Sequence, residues 1–273
     1  MMKSDTVNIN VVGELEYITF PKLVKTGIVR HAFTTRTGGV SEGFCSSMNM
    51  SFNRGDKREN VIKNYETICG VLGIDTANLV FTKQTHTDNC VIVTADDRGK
   101  GFSKPGFEDV DGLVTDCKGV ALVTQFADCT PLLFCDPVKG VIASAHSGWR
   151  GTVKRIGERA VGIMIRDYGS DPKDIVAAIG PCVGPCCYEV DVPVYSAFRD
   201  AGFDTSQIFA PKDNGRYMLD LRLANKLVLT SAGILPENID IADICTSCNT
   251  DKMFSHRVSG NKRGNMAAII ELV

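Results

Sequence analysis

The sequence predicts a mixed α/β protein. Short, β-branched apolar runs outnumber amphipathic helical stretches, and the two kinds do not alternate regularly as in a βαβ chain. Closely spaced strand-like runs between Val120 and Ala145 add a third observation, since such spacing suggests adjacent antiparallel strands.

Taken in order, residues 1–27 read as an N-terminal extension, or as an edge strand of a single domain spanning 1–273. Strand-like runs follow at Ile28–Thr35, Asn89–Val93, Val120–Phe126, Pro131–Cys135, Val141–Ala145, Ile175–Ile179, Ile239–Ile244 and Ala267–Leu272. The first helix is expected after Asp56, with Glu59 completing a capping box, and it stops near Gly73. A second is expected from about Thr152, with Val153, Ile156, Ala160, Ile163 and Met164 on one face. A third follows Asp220, carries Leu223, Leu227 and Val228, and ends at Gly233. The longest irregular stretch, Thr94 to Asp109, is rich in Gly, Asp and Lys and reads as a surface loop.

Composition narrows the function classes. The 273 residues are 44% hydrophobic and 23% charged, enough apolar material for a large core. A net charge of −2 with no basic stripe argues against a nucleic-acid partner, while a nucleotide-sized substrate needs only a local positive site. No apolar run approaches the roughly 20 residues that span a bilayer, and polar Met1–Asn10 lacks a signal-peptide core, so no membrane partner and a cytoplasmic location are expected. Eleven cysteines spread over a long chain read mostly as reduced thiols, with Cys69, Cys90, Cys117 and Cys135 as small apolar residues.

Chemistry concentrates in a few places. Of the four histidines, His31, His86, His146 and His256, two close strand-like runs: His86 after Val80–Thr85 and His146 after Val141–Ala145. Cys129 closes Val120–Phe126 after Ala127 and Asp128. Side chains at neighbouring strand ends converge on one sheet edge, and two imidazoles with one thiolate suit zinc, leaving a fourth position open. The competing reading is that strand-end histidines merely bond backbone carbonyls, and long ligand separations do not decide between the two. His146-Ser-Gly-Trp-Arg-Gly-Thr152 precedes the second helix, so amides at a helix start with Arg150 form a candidate anion site. Its glycines equally suit a tight turn, and Trp149 reads as a core or rim residue more readily than as a platform for a base. Arg36, Gly38 and Gly39 lie in a glycine-containing loop after a strand that matches no nucleotide fingerprint; Arg36 is a candidate phosphate contact or an ordinary surface arginine. Cys182, Cys186 and Cys187, with Cys245 and Cys248, have the spacing type of a structural zinc site. Nothing in the sequence brings these two segments together, and packing or redox-sensitive thiols are the favoured reading.

These residues resemble the YfiH/YlmD-like family, long labelled a multicopper polyphenol oxidase or laccase domain and now understood as purine nucleoside phosphorylase. The matching segments are HAFTTRTGGVS from His31, KQTHTDNCVIV from Lys83, DVDGLVTD from Asp109, ADCTPLLFCDP from Ala127, ASAHSGWRGT from Ala143, IGPCVGPCCYEV from Ile179 and CTSCNTDKMFSHR from Cys245. The resemblance implies zinc held by His86, Cys129 and His146. It implies phosphorolysis of adenosine, inosine and guanosine with inorganic phosphate, cleavage of methylthioadenosine, and deamination of adenosine. It also implies a layered α/β/β/α sandwich with mixed, largely antiparallel sheets. The family motif often reads CTYC and SYRR where this chain has Cys245-Thr-Ser-Cys248 and Ser255-His256-Arg257.

For deamination, a zinc-activated water would attack purine C6, and Asp128 is the candidate proton shuttle or ligand-orienting group. For phosphorolysis, Arg36 and Arg150, with the amides of Gly38 and Gly39, are the candidate phosphate contacts. Three other readings compete: a cysteine hydrolase using Cys129 with His146, a copper-dependent phenol oxidase with copper as the alternative occupant, and a zinc-stabilised binding module. Four histidines are too few for multicopper oxidation. The sequence leaves the oligomeric state open.

Overall fold

The computed structural model describes residues 4–273; the first three residues of the polar Met1–Asn10 segment lie outside the described residues. From the N-terminus, the chain forms β1 (Asn8–Val12), β2 (Leu15–Thr19), α1 (Pro21–Thr26), β3 (Val29–Thr34), α2 (Arg58–Leu72) and β4 (Leu79–Phe81). It continues through β5 (Cys90–Ile92), β6 (Gly112–Thr115), β7 (Ala121–Phe126), β8 (Thr130–Asp136) and β9 (Val141–Ser147). Next come α3 (Trp149–Val153), α4 (Ile156–Tyr168), β10 (Val176–Ile179), β11 (Glu189–Val190), α5 (Val192–Asp200), α6 (Thr205–Ile208) and β12 (Phe209–Pro211). The C-terminal part holds β13 (Tyr217–Leu219), α7 (Leu221–Ser231), β14 (Ile239–Ile241), α8 (His256–Ser259) and β15 (Met266–Leu272).

Two six-stranded sheets form the frame, in the orders β1-β2-β3-β15-β7-β4 and β14-β10-β8-β9-β6-β5. Most pairings are antiparallel; β4–β7, β5–β6 and β10–β14 are parallel. Alternation along each strand builds the layers, because successive side chains point to opposite faces. In β7, Leu122 and Phe126 join the core between the sheets, where Leu133 and Ile142 of the second sheet meet them. Ala121 and Val123 face outward with Val61, Tyr65 and Ile68 of α2. In β9, Val141, Ala143 and Ala145 pack against Ile156, Ala160 and Met164 of α4, alongside Leu229 of α7. The result is the α/β/β/α sandwich with mixed, largely antiparallel sheets that the resemblance implied. A small third sheet, β11-β13-β12, encloses its own core with α5, α6 and α7.

Several expectations shift. Residues 4–27 supply β1 and β2, a hairpin where a single edge strand was one of the two alternatives, at one edge of the first sheet, and the short α1. The run Val120–Phe126 is not a sheet neighbour of Pro131–Cys135. β7 and β8 belong to different sheets, and only β8 and β9 pair. Alternation alone cannot tell a strand that continues its sheet from one that crosses to the facing sheet.

The capping box at Glu59 is absent. Asp56 accepts the amide of Lys57, one residue before the helix, and Lys57 at the N-cap makes no side-chain cap. A capping box forms instead at Thr94 and Asp97, opening the expected Thr94–Asp109 loop with one tight turn. The second helix is two: α3 stops at Val153 and α4 starts at Ile156, because Arg155 adopts a left-handed conformation with φ of 60°. Its amphipathic stripe runs through the break, so periodicity could not reveal it. The third helix stands as expected, with the Asp220 side chain accepting from the amides of Arg222 and Leu223.

Candidate metal centre and cleft

His86, Cys129 and His146 come together, with one donor atom from each lying within 4.8 Å of the other two. Each arrives by a different route. His146 sits within β9 on the same face as Ile142 and Ser144, so the two-residue period turns it toward the space between the sheets. Cys129 ends the three-residue crossing from β7 to β8. Asp128 in that crossing has φ of 84°, a left-handed conformation that costs about 1–3 kcal/mol for a non-glycine residue. His86 does not end a strand: β4 stops at Phe81, and the loop beyond it carries His86 with φ of 64°. Two of the four non-glycine positive-φ residues among those described thus belong to this site.

The His86 loop is strapped at both ends. Gln84 donates to the Gln125 carbonyl and accepts the Gln125 amide, both at 2.7 Å. Buried Asp111, just before β6, accepts the amides of Thr85 at 2.8 Å and Thr87 at 3.1 Å. Its other oxygen pairs with His146 Nδ1 at 2.7 Å. Asp111 therefore sets one imidazole's orientation and the other's loop together, as the outer partners of metal-binding histidines do. Sequence reasoning gave Asp111 no role, although it lies in the DVDGLVTD segment from Asp109, just before a glycine that opens a strand.

The two imidazoles sit in different electrostatic surroundings. Burial opposes charge on His146, but the neighbouring Cys129 sulfur and Asp111 raise it to about 9. Burial and the His146 ring lower His86, against Asp111. Two nitrogens and one sulfur suit a borderline-soft ion and leave room for a further ligand. Gly148 leaves space for the donors: a Cβ there would lie 2.8 Å from His86 Nδ1 and 3.0 Å from Cys129 Sγ. The other histidines stand elsewhere. His31 is buried, its Nε2 accepting the Phe20 amide at 2.9 Å, and His256 is exposed, with Nδ1 bonded to the Gly260 carbonyl.

His86 and Cys129 of the triad border a cleft of about 520 Å³, a size typical for small organic ligands. Arg54, Arg150, Arg257 and Arg263 all line it, against one carboxylate, Asp128, so the cleft is cationic although the chain is not. Trp149 and Tyr188 supply aromatic walls. Trp149 is half-buried against the third sheet's core, with the Arg150 guanidinium 4.2 Å from its ring centroid, so it is both a rim residue and a cleft wall.

The other expected site residues divide. Asp128 borders the cleft, but its carboxylate is committed to Thr246 Oγ1 at 2.5 Å, Ser255 Oγ at 3.1 Å and the Arg257 amide at 2.5 Å. Arg150 lies in the cleft; the helix it heads, α3, is a single turn. Arg36 is not brought there. Its guanidinium donates to the carbonyls of Ser46 and Thr250 and lies over the Phe254 ring. Gly38 and Gly39 serve packing: a Cβ on Gly38 would lie 2.3 Å from Leu15 Cα, and one on Gly39 would lie 2.4 Å from the Ser47 carbonyl oxygen.

Arg54 and Arg263 line both the cleft and an adjoining recess that holds all three triad residues. Neither Nε has a hydrogen-bond partner among the described residues. Burial and the nearby Arg54 charge push Arg263 down to about 10, against the pull of Asp128 and Cys129. The sequence signal was faint, an arginine before a glycine in each case.

A model of the family described as multi-copper polyphenol oxidoreductase laccase matches residues 30–273. The chain is 38% identical over 240 residues to purine nucleoside phosphorylase YlmD of Bacillus subtilis (strain 168), covering 87% of this chain and 86% of that protein. It is 35% identical over 257 residues to adenosine deaminase RL5 from an unknown prokaryotic organism, covering 92% and 96%. The crystal structure of YlmD from Geobacillus stearothermophilus superposes with a TM-score of 0.92 at 34% identity, covering 98% of this chain and 99% of that one.

Proposed function

The chain belongs to the family described as multi-copper polyphenol oxidoreductase laccase, and from that premise we propose that it is a zinc-dependent enzyme of purine nucleosides. In this reading it splits adenosine, inosine, guanosine and methylthioadenosine with inorganic phosphate and deaminates adenosine. The names of its relatives, purine nucleoside phosphorylase and adenosine deaminase, support the substrate class. The observation that carries the reading is the His86–Cys129–His146 triad beside a cationic, aromatic-walled cleft.

Zinc fits the donor set: two imidazoles and a thiol converge, Asp111 steadies one ring, and Gly148 keeps the space clear. When bound, zinc acts as a Lewis acid and makes water more acidic, which is the chemistry deamination requires. Copper in a multi-site oxidase fits less well, because His31 and His256 take no part in the cluster.

In phosphorolysis a phosphate oxygen bonds to C1′ as the bond from C1′ to the base breaks. The electron pair of that bond leaves with the purine, which takes up the proton that the phosphate gives up. Arg54 and Arg263 hold the phosphate: their unpartnered Nε groups and mutual repulsion are both relieved by an anion between them. This places phosphate on residues other than Arg36, whose donors are already bonded to carbonyls. Trp149 and Tyr188 flank the base, and Arg150 closes the rim. Asp128 acts by holding the cleft walls together through Thr246, Ser255 and Arg257.

The test is phosphate-dependent release of hypoxanthine from inosine, with bound metal measured on the same preparation. Zinc in the triad, and loss of turnover in both His86→Ala and Cys129→Ala, is the expected result. Arg263→Gln should raise the KM for phosphate far more than that for inosine. A folded wild type that releases no purine base with or without added zinc would end the assignment. Activity that survives metal removal but not thiol alkylation would favour the cysteine hydrolase.

A further inference from the structure

Cys186 and Cys187 lie in the turn after β10, and Cys245 and Cys248 lie in the loop after β14. Nothing in the sequence joins these segments, and packing or redox-sensitive thiols are its favoured reading; the structure brings them together. All four sulfurs lie within 4.8 Å of one another. Cys248 Sγ stands 3.5 Å from Cys186 Sγ and 3.4 Å from Cys187 Sγ. Membership also differs from the spacing pattern: Cys182 is buried apart, its backbone paired with Cys245, and Cys187 takes its place.

The geometry points to a ligand set. Four thiolates at about 2.3 Å from a tetrahedral cation stand about 3.8 Å apart, close to what is seen here. The Gly184 amide donates to Cys245 Sγ at 3.1 Å. A backbone amide aimed at this sulfur supports a thiolate there. Gly184 is itself limited in size: a Cβ would lie 3.1 Å from Cys245 Cβ and 3.3 Å from Cys186 Sγ. Cys245 is buried and Cys187 half-buried, while Cys186 and Cys248 are exposed, which leaves a path from solvent.

We propose that Cys186, Cys187, Cys245 and Cys248 form a second metal site, a tetrathiolate that takes zinc or a similar soft divalent cation as a structural staple. It shares no residue with the His86–Cys129–His146 triad. Four protein sulfurs complete a tetrahedral sphere and leave no position for substrate, so the site is structural. Loading it forms four metal–sulfur bonds, and the thiol protons pass to solvent with no change in oxidation state.

The staple joins two cleft walls. The first segment carries Val183, whose amide donates to the Asp128 carbonyl at 3.0 Å, and Tyr188. The second carries Thr246 and Ser255, which hold the Asp128 carboxylate, and then His256 and Arg257. A metal at the four thiols fixes both walls at a point outside the cleft.

The experiment compares the metal content of the full chain with those of Cys186→Ser/Cys248→Ser and His86→Ala/Cys129→Ala, all purified without chelator. The expected result is that the thiol variant loses about one zinc per chain relative to wild type, whatever the triad holds. Cobalt(II) added to the metal-free His86→Ala/Cys129→Ala variant should give intense sulfur-to-cobalt charge-transfer absorption with tetrahedral d–d bands. This second measurement leaves all four thiols intact, so it stands even where the serine variant fails to fold. Unchanged zinc in a folded Cys186→Ser/Cys248→Ser chain would overturn the proposal. So would the absence of the cobalt spectrum, or an intact mass lighter by the two hydrogens of a disulfide from Cys248 to Cys186 or Cys187. Failure of nucleoside turnover leaves these readouts untouched, so the two proposals are separable.

Discussion

Asp111 accepts the His146 ring with one oxygen and the amides of Thr85 and Thr87 with the other. Asp111→Asn keeps the shape but sets an amide NH2 against groups that donate. We expect triad metal affinity to fall about 10–100-fold, as when such outer partners are lost elsewhere; competition with a chelator measures it. Unchanged affinity would mean that the strands alone orient the rings. His31 offers a different residue-scale test. Its ring is buried and held neutral, with a pKa lowered to about 4 by loss of solvent and Nε2 accepting from Phe20. The unfolded chain takes that proton near its ordinary value of 6.5, so between these values the unfolded state binds more protons. Stability should therefore fall as pH drops from about 6.5 to 4, by up to roughly 3 kcal/mol from this group. His31→Gln, which can still accept from Phe20, should flatten the acid limb of urea midpoints against pH; parallel curves would show that the ring carries its proton in the folded chain.

At the scale of elements, the clearest local signals are helix starts and strand periods. Asp220 was legible as the start of α7 because its carboxylate can accept the first free amides, and it accepts those of Arg222 and Leu223. Asp220→Ala should cost about 0.5–2 kcal/mol, read as a lower urea midpoint with an unchanged m-value. A neutral result would show that packing of Ala224, Val228 and Leu229 alone sets that end of the helix. Less legible was the break between α3 and α4. Arg155 in the left-handed region lets the chain turn without interrupting the apolar stripe, and nothing in a hydrophobic period records a backbone angle. The crossing at Ala127-Asp128-Cys129 was hidden for the same reason, although the strands on either side were found nearly to the residue.

At the scale of the molecule, two sheets share one apolar layer, and the triad occupies the place where β7 hands the chain to β8. Phe33 is a keystone of that layer. It lies 5.0 Å from Phe20 and 6.3 Å from Phe126 between ring centroids, and its ring fills the space beside Gly180. Phe33→Ala should cost about 3–5 kcal/mol, because the lost contacts are joined by a cavity that two rigid sheets cannot close. Calorimetry checks this, and a loss near that of a surface change would mean the sheets slide together. No helix among the described residues is long and apolar enough to cross a membrane.

By itself the sequence determined what is local. Strand and helix identities followed from period and from β-branched or capping residues. The three triad donors stood out as two of only four histidines and one cysteine at or near strand ends, and motif resemblance picked out the same three. Tertiary structure alone decided which strand joins which sheet, and hence what meets at the site. It supplied Asp111, kept Arg36 out of the cleft while bringing Arg54 and Arg263 into it beside Arg150, and gathered four cysteines that the sequence had left in two unrelated turns. The physical reason is one of range. Propensity and periodicity act over a few neighbouring residues, whereas convergence of distant side chains is set by how two sheets pack and where the chain crosses between them.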